Sequence, residues 1–252
     1  MKIEPQQVDI TSQLDFSIDG CKKHIENCTR VCYQSYDKKT DDSYLKFYDM
    51  LIKRGHLAPL EHATIYLTLD LENYLIAFLK KNVFSKVRKG VEEERNYCYV
   101  TTNMRVLVEN DILEKCKAYI CKPTVNHFQR FTFRIITNRA IQNEIVRHRN
   151  LSFCVESTRY VNYKTGLTLV PPFSANDVYI KTMKAIENAY FEMVNSSIAP
   201  QFARGILPLD LKTEMYVTGF FLDWKEFVGK RNIKAAHPLI CWIAKEIDKQ
   251  IQ

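Results

Sequence analysis

Helical and strand periodicities interleave along this chain without a regular strand–helix–strand alternation, and no glycine-rich fingerprint follows a strand. That argues against a doubly wound parallel sheet, so any bound dinucleotide must be held by other means. The 252 residues are enough for a full hydrophobic core. The sequence contains no repeat, no low-complexity segment and no Gly/Ser-rich linker, and its seven glycines leave little room for tethers. One continuous domain over residues 1–252 is expected.

Local patterns place the elements. Tyr44, Phe47, Tyr48, Leu51 and Ile52 recur at helical spacing and predict a helix over Asp42–Arg54, with Gly55 in the left-handed position that ends it. Ile65, Leu67, Leu69 and Leu71 alternate with Thr64, Tyr66, Thr68 and Asp70, as in a half-buried strand. A helix over residues 72–89 ended by Gly90 is expected, its exposed end decorated by Lys86 and Lys89. Asn110 or Asp111 is expected to cap a short helix carrying Leu113, Cys116 and Ile120. Phe131–Thr137 has strand composition, and Asn138 is a good cap for a helix over Arg139–Arg149. There Ile141 and Ile145 face inward, and Glu144 and His148 share a face one turn apart. A long helix is expected over Val178–Met193. Pro238 opens the last one, whose apolar stripe is Ile240, Ala244, Ile247 and Ile251.

Bulk properties narrow the function classes. Hydrophobic residues at 46% and charged residues at 26% are ordinary for a soluble protein. No apolar run follows Met1-Lys2-Ile3-Glu4-Pro5 and no stretch reaches roughly 18 apolar residues, so neither a secretory signal nor a membrane partner is expected. Eight cysteines include no Cys-x-x-Cys pair; zinc-ribbon and thioredoxin-like readings are weak, and a reducing cytoplasmic setting fits. His56, Glu61 and His62 lack the helical spacing and third ligand of a catalytic zinc site, so no metal is expected. A net charge of +7 favours anionic partners. Without a recognisable nucleic-acid module, nucleic acid is not an expected partner.

The densest chemical signal is Arg147-His148-Arg149, then seven residues, then Ser157-Thr158-Arg159-Tyr160. Arginine offers a rigid fork of donors that matches phosphate oxygens and stays charged at any working pH. Hydroxyls and turn amides fill the remaining directions. The bland reading is a basic helix end with solvated arginines.

This ordered pattern resembles the signature of the flavin-dependent thymidylate synthase family. Further blocks agree in order: Gly55-His56 with Pro59-Leu60-Glu61-His62; Ala203-Arg204 with Leu207-Pro208 and Lys212-Thr213-Glu214; and Asp223-Trp224, Phe227, Arg231 and Ala235-Ala236-His237-Pro238. The resemblance implies an α+β fold with a central antiparallel sheet flanked by helices, assembled as a homotetramer whose sites draw on several subunits. It implies reductive methylation of deoxyuridine monophosphate (dUMP) to dTMP, with methylenetetrahydrofolate and NADPH as co-substrates and FAD as cofactor. By the same resemblance Glu144, Arg147, Glu156, Ser157, Thr158, Arg159, Arg204 and Arg231 contact dUMP, with Arg204 donated by another subunit. Arg231 is the catalytic group, promoting loss of the uracil N3 proton. His56, Ala58, Glu61, Arg147, His148, Arg149 and Glu226 contact FAD.

The chain departs from the family pattern at several places. Val155 stands where Gln or Glu is usual, and Ala58 where Ser or Thr is common. Phe220-Phe221-Leu222 replaces a stretch with polar Asn and Arg, and Glu226 replaces Asn or His. Lys225 and Lys230 are nearby cations that could substitute for the missing arginine. These departures keep two other readings open: a pyrimidine-nucleotide hydroxymethylase on the same scaffold, and a nucleotide-binding relative that has lost flavin.

Overall fold

The strands follow from alternating side chains that need two differently covered faces, and the computed structural model, which describes residues 1–92 and 94–252, shows how each is covered. In chain order, β1 (Lys2–Ile3) and β2 (Gln7–Ile10) precede α1 (Ile18–Thr29) and a 3₁₀ segment, Arg30–Tyr33. α2 (Ser43–Lys53) and a 3₁₀ segment, Ala58–His62, lead to β3 (Thr64–Asp70), α3 (Leu75–Lys81), β4 (Lys86–Glu92) and β5 (Arg95–Asn103). Then come α4 (Met104–Glu109), α5 (Leu113–Cys116), β6 (Arg130–Asn138), α6 (Arg139–Ile145), β7 (Ser152–Val155) and β8 (Thr168–Leu169). The chain closes with α7 (Asp177–Asn195), α8 (Pro200–Ala203), β9 (Lys212–Phe220), α9 (Phe221–Arg231) and α10 (Pro238–Gln250).

The central sheet is antiparallel, in the order β2-β6-β9-β7. Its register pairs Thr132 with Thr218, Phe133 with Val217, and Ser152 with Thr218. One face therefore carries Phe133, Ile135, Met215, Val217, Phe153 and Val155, which pack on α6, α9 and α10 through Trp224, Phe227, Ile240, Ile243 and Ile247. The other face carries Arg130, Thr132, Arg134, Glu214, Tyr216, Thr218 and Cys154 and lies under α1 and the 3₁₀ segments. A second antiparallel sheet, β3-β5-β4, has its own apolar core with α1, α2, α3 and α4, built on Leu51, Leu60, Ile65, Leu67, Leu69, Leu79 and Val100. β1 and β8 form a small parallel pair.

Several expected elements are found. Gly55 sits at φ +65° past α2, and the His56 amide donates to Leu51 O at 2.9 Å, as a left-handed helix end requires. The Asn138 side chain accepts from Ile141 N at 2.9 Å and starts α6. The apolar stripe of α10 is buried as expected, and all eight cysteines are unpaired.

Four expectations need correction. The helix expected over residues 72–89 is only α3; Asn82 leaves helical geometry, its side chain accepts from Phe84 N, and Lys86–Glu92 then pairs with β5. Lys86 and Lys89 therefore lie on a strand, where ladder bonds override the local helical pattern. Asn110 and Asp111 do not start a helix. Asn110 closes α4, donating to Val106 O at 2.8 Å, and Asp111 is left-handed at φ +53°. Helix α6 stops at Ile145 rather than Arg149. β3 is not half-buried: Thr64, Ile65, Tyr66, Leu67 and Leu69 are all enclosed, because Tyr66 packs against Phe16 and His127 on its second face.

Candidate functional site

The signature begins where α6 ends. The His148 amide donates to Ile145 O at 3.0 Å, so the Arg147–Arg149 triplet sits on a turn beyond the helix. Arg147 and Arg149 are exposed, and neither has an ion pair among the described residues. His148 packs its ring on Phe227 with centroids 4.8 Å apart. Its Nε2 accepts from Arg231 Nε at 3.0 Å. Burial, then the Arg231 and Lys230 charges, lowers the His148 pKa, which suits a neutral acceptor. The same arginine, at the end of α9, donates from Nη1 to Glu144 Oε2 at 3.3 Å and from Nη2 to Glu144 O at 3.4 Å. Glu144, His148 and Arg231 thus form one cluster across 87 residues of sequence.

The Ser157 loop is a second cluster. The Ser157 amide donates to Cys32 O at 3.1 Å, and its hydroxyl accepts from Arg159 N at 3.3 Å. Arg159 is exposed, stacks over Tyr160 and donates to Gln201 Oε1 at 3.2 Å. Arg204, on the 3₁₀ turn after α8, donates to Thr158 Oγ1 at 3.4 Å. The resemblance has Arg204 arriving from another subunit; here it lies beside Thr158 of its own chain. Glu156 is buried under this loop. It accepts from Tyr163 Oη at 2.6 Å and Gln34 Nε2 at 3.2 Å, with Lys212 at 3.6 Å. Its carboxylate is therefore committed inside the protein.

His56 and Ala58 line a third region, an open cavity of about 860 Å³ between α2 and the Arg30–Tyr33 segment. Arg54 and Arg105 stand on its wall with Cys32 and Tyr33. Tyr33 stacks on Tyr160 at 4.8 Å, so the cavity borders the Ser157 loop. Glu61 faces the neighbouring interior, where its carboxylate accepts from Arg105 Nη1 and Ser152 Oγ, both at 2.6 Å.

Among the departures, Val155 packs on the apolar sheet face, Leu222 is exposed, and Phe220 is buried beside Lys86 and Arg130. Glu226 is tied to Lys230 and to Asn150. Lys225 pairs with Asp248 at 2.7 Å. Neither lysine is therefore a free substitute for the missing arginine. One chain gathers Glu144–His148–Arg231, Ser157–Thr158–Arg159–Arg204, and His56–Ala58 separately, and no hydrogen bond among the described residues joins the first group to the other two. Sequence reasoning missed Cys32, Tyr33, Arg54 and Arg105. Arg54 stands directly before Gly55-His56, the one signal available; the others come from segments without periodicity.

Exposed arginines on the signature turn and the Ser157 loop, and Arg54 and Arg105 on the wall of the cavity, give this α+β fold a donor set that matches phosphate oxygens. The family described as thymidylate synthase complementing protein matches residues 98–252, and the chain belongs to that family. Among curated relatives, the flavin-dependent thymidylate synthase of Mycobacteroides abscessus is 22% identical over 267 residues, covering 91% of this chain and 79% of that protein. That of Corynebacterium diphtheriae is 30% identical over 114 residues, 37% of this chain and 45% of the relative. The probable flavin-dependent thymidylate synthase of Mycobacterium phage D29 is 30% identical over 139 residues, 48% and 59% respectively. The chain spans about half the length of several of the relatives it matches. Among the described residues, no helix is long and apolar enough to cross a membrane.

Proposed function

We propose that this chain makes dTMP from dUMP by reductive methylation, with methylenetetrahydrofolate as carbon donor and NADPH as reductant. FAD, when bound, supplies the redox chemistry. The observation that carries the reading is the meeting of two distant sequence blocks at Arg231, whose guanidinium is oriented by Glu144 and by His148. A fixed cation held this way stabilises negative charge developing on a uracil ring. Arg159 and Arg204, with the Ser157 and Thr158 hydroxyls, suit the dianionic phosphate of dUMP. Glu156 acts on this loop from below, as a positioning group.

The cofactor also fits the residues present. The cavity of about 860 Å³ has the size of a small-molecule site; of its arginines Arg30 and Arg105 are paired with carboxylates, which leaves Arg54, with the exposed Arg147 and Arg149 of the signature turn, as the cations suited to a pyrophosphate. His56, Ala58, Glu61, Arg147, His148, Arg149 and Glu226 are the residues proposed to hold FAD. The three separate groups are proposed to be completed by neighbouring copies in a homotetramer.

Single-turnover oxidation of reduced flavin with dUMP and folate present tests the reading. Arg231→Ala is expected to lose roughly 100-fold in turnover with little change in dUMP affinity. Wild-type turnover in that variant would remove Arg231 from the chemistry. The exposed Leu222 and the internally paired Glu226 favour one second reading, a nucleotide-binding relative without flavin. Purified protein that stays colourless after FAD is added would select it.

A further inference from the structure

A smaller cavity, of about 300 Å³, lies where strand β4 of the second sheet approaches the ends of β6 and β9. Lys86, Arg130, Arg149 and Asp223 are the charged groups on its wall, with Phe220 between them. Three cations thus face one carboxylate. Asp223 is already engaged, accepting from the Phe220 amide at 3.2 Å at the start of α9. Lys86 Nζ is 4.0 Å from Asp223 Oδ1 and 4.3 Å above the Phe220 ring.

Arg130 is the least satisfied of the three. Its guanidinium donates to Thr64 Oγ1 at 3.3 Å and to the Glu61 carbonyl at 3.0 Å, while its buried Nε has no partner. It has five N–H donors to place. No carboxylate lies within ion-pair distance of it among the described residues: of the two whose charge opposes it, Glu61 gives its two oxygens to Arg105 and Ser152, and Asp223 accepts from the Phe220 amide. Burial pulls the Arg130 pKa down to about 10, which leaves it charged at neutral pH. A buried cation without a directly paired carboxylate is costly, and a ligand anion lowers that cost.

We infer that Lys86 and Arg130 form an anion subsite beside Arg149 that takes a phosphate group of the flavin cofactor. The inference deepens the flavin reading and rests on it. Phosphate is favoured over a chloride-sized ion because the donors come from three directions: β4, β6 and the signature turn. Phe220 adds a flat apolar wall between the phosphate and the rest of the ligand. Strand β4 would then be a functional element, delivering one cation from the second sheet to the signature.

Flavin fluorescence titration of the full chain tests this with FAD and with riboflavin, which lacks phosphate. Lys86→Met is expected to weaken FAD roughly tenfold or more, the size of one charged hydrogen bond, and to leave riboflavin unchanged. Lys86→Arg keeps the charge and should retain FAD affinity. Unchanged FAD binding in Lys86→Met, or an equal loss for both ligands, overturns the subsite while leaving the flavin reading intact. A wild-type chain that binds neither ligand overturns the flavin reading itself. In that case inorganic pyrophosphate, followed by thermal melting, decides on the anion subsite alone. A stabilisation of wild type that Lys86→Met abolishes supports it, and its absence overturns it.

Discussion

The two faces of the central sheet are covered in opposite ways. Toward α9 and α10 the strands present Phe133, Ile135, Met215 and Val217 to other apolar side chains. Toward α1 they present threonines, charges and a tyrosine, yet this face is buried too: Thr132, Glu214 and Thr218 are each under 5% exposed. It is held by a line of polar contacts rather than by apolar packing. His62 Nδ1 lies 2.7 Å from Thr218 Oγ1, Thr218 Oγ1 is 2.7 Å from Thr132 Oγ1, and Thr132 Oγ1 is 3.2 Å from His24 Nε2. Further along, Arg134 donates to Glu214 at 2.6 Å, and the Gln34 amide reaches both Glu214 and Glu156. The apolar face tolerates changes that keep volume; the polar face tolerates only changes that keep every bond. The Ser157 loop grows out of the polar face, through Glu156.

The largest expected effect is on the apolar face. Trp224 is fully buried against Phe133 and Phe227. Trp224→Ala should cost about 3–5 kcal/mol in urea unfolding; a loss below about 1 kcal/mol would mean that this face is not packed as described. On the polar face Thr218→Val removes a hydroxyl shared by His62 and Thr132, and should cost about 1–3 kcal/mol by leaving buried groups unpaired. An unchanged midpoint for that variant would erase the contrast between the faces.

Acid sharpens it further. Burial foremost pushes His24 down to about 4 and His62 down to about 3, below the ordinary value near 6.5. The unfolded chain therefore binds more protons below that pH. Stability from these neutral rings is fully present above about pH 6.5 and falls by about 1.4 kcal/mol per unit per group as pH drops toward 4. Urea midpoints that stay level from pH 7 to pH 5 would contradict the buried line. The smallest effect is expected at Thr213, whose hydroxyl is buried with no partner. Thr213→Val should change stability by no more than about 0.5 kcal/mol or raise it slightly, in contrast with Thr218→Val.

This contrast explains what could be read from the sequence. The apolar stripe of α10, the cap at Asn138 and the turn at Gly55 follow from local chemistry, and each is where periodicity puts it. The polar face is different: Thr132, Arg134, Glu214 and Thr218 alternate with apolar residues as a solvent-facing side would. Only the register with α1 and Ala58–His62 shows that they are enclosed. β4 escaped for a related reason. Its basic residues fit an exposed helix end, and only pairing with β5 makes it a strand. For the candidate site, the signature order identified the Arg147–Arg159 region, and one of its residues, His148, meets Arg231 together with Glu144 just before it. The wall of the large cavity was not legible, because Cys32, Tyr33 and Arg105 come from segments whose packing is set by tertiary contacts.

The position of β9 has a consequence for synthesis. It lies between β6 and β7, although it follows both by more than fifty residues. A nascent chain therefore carries β6 and β7 with no partner for their facing edges until Lys212–Phe220 has left the ribosome. At roughly 5–20 residues per second that interval lasts several seconds. Open strand edges are where chains adhere to one another. The strand Lys212–Phe220 thus acts as a wedge that arrives late, and folding of the whole central sheet waits on its delivery.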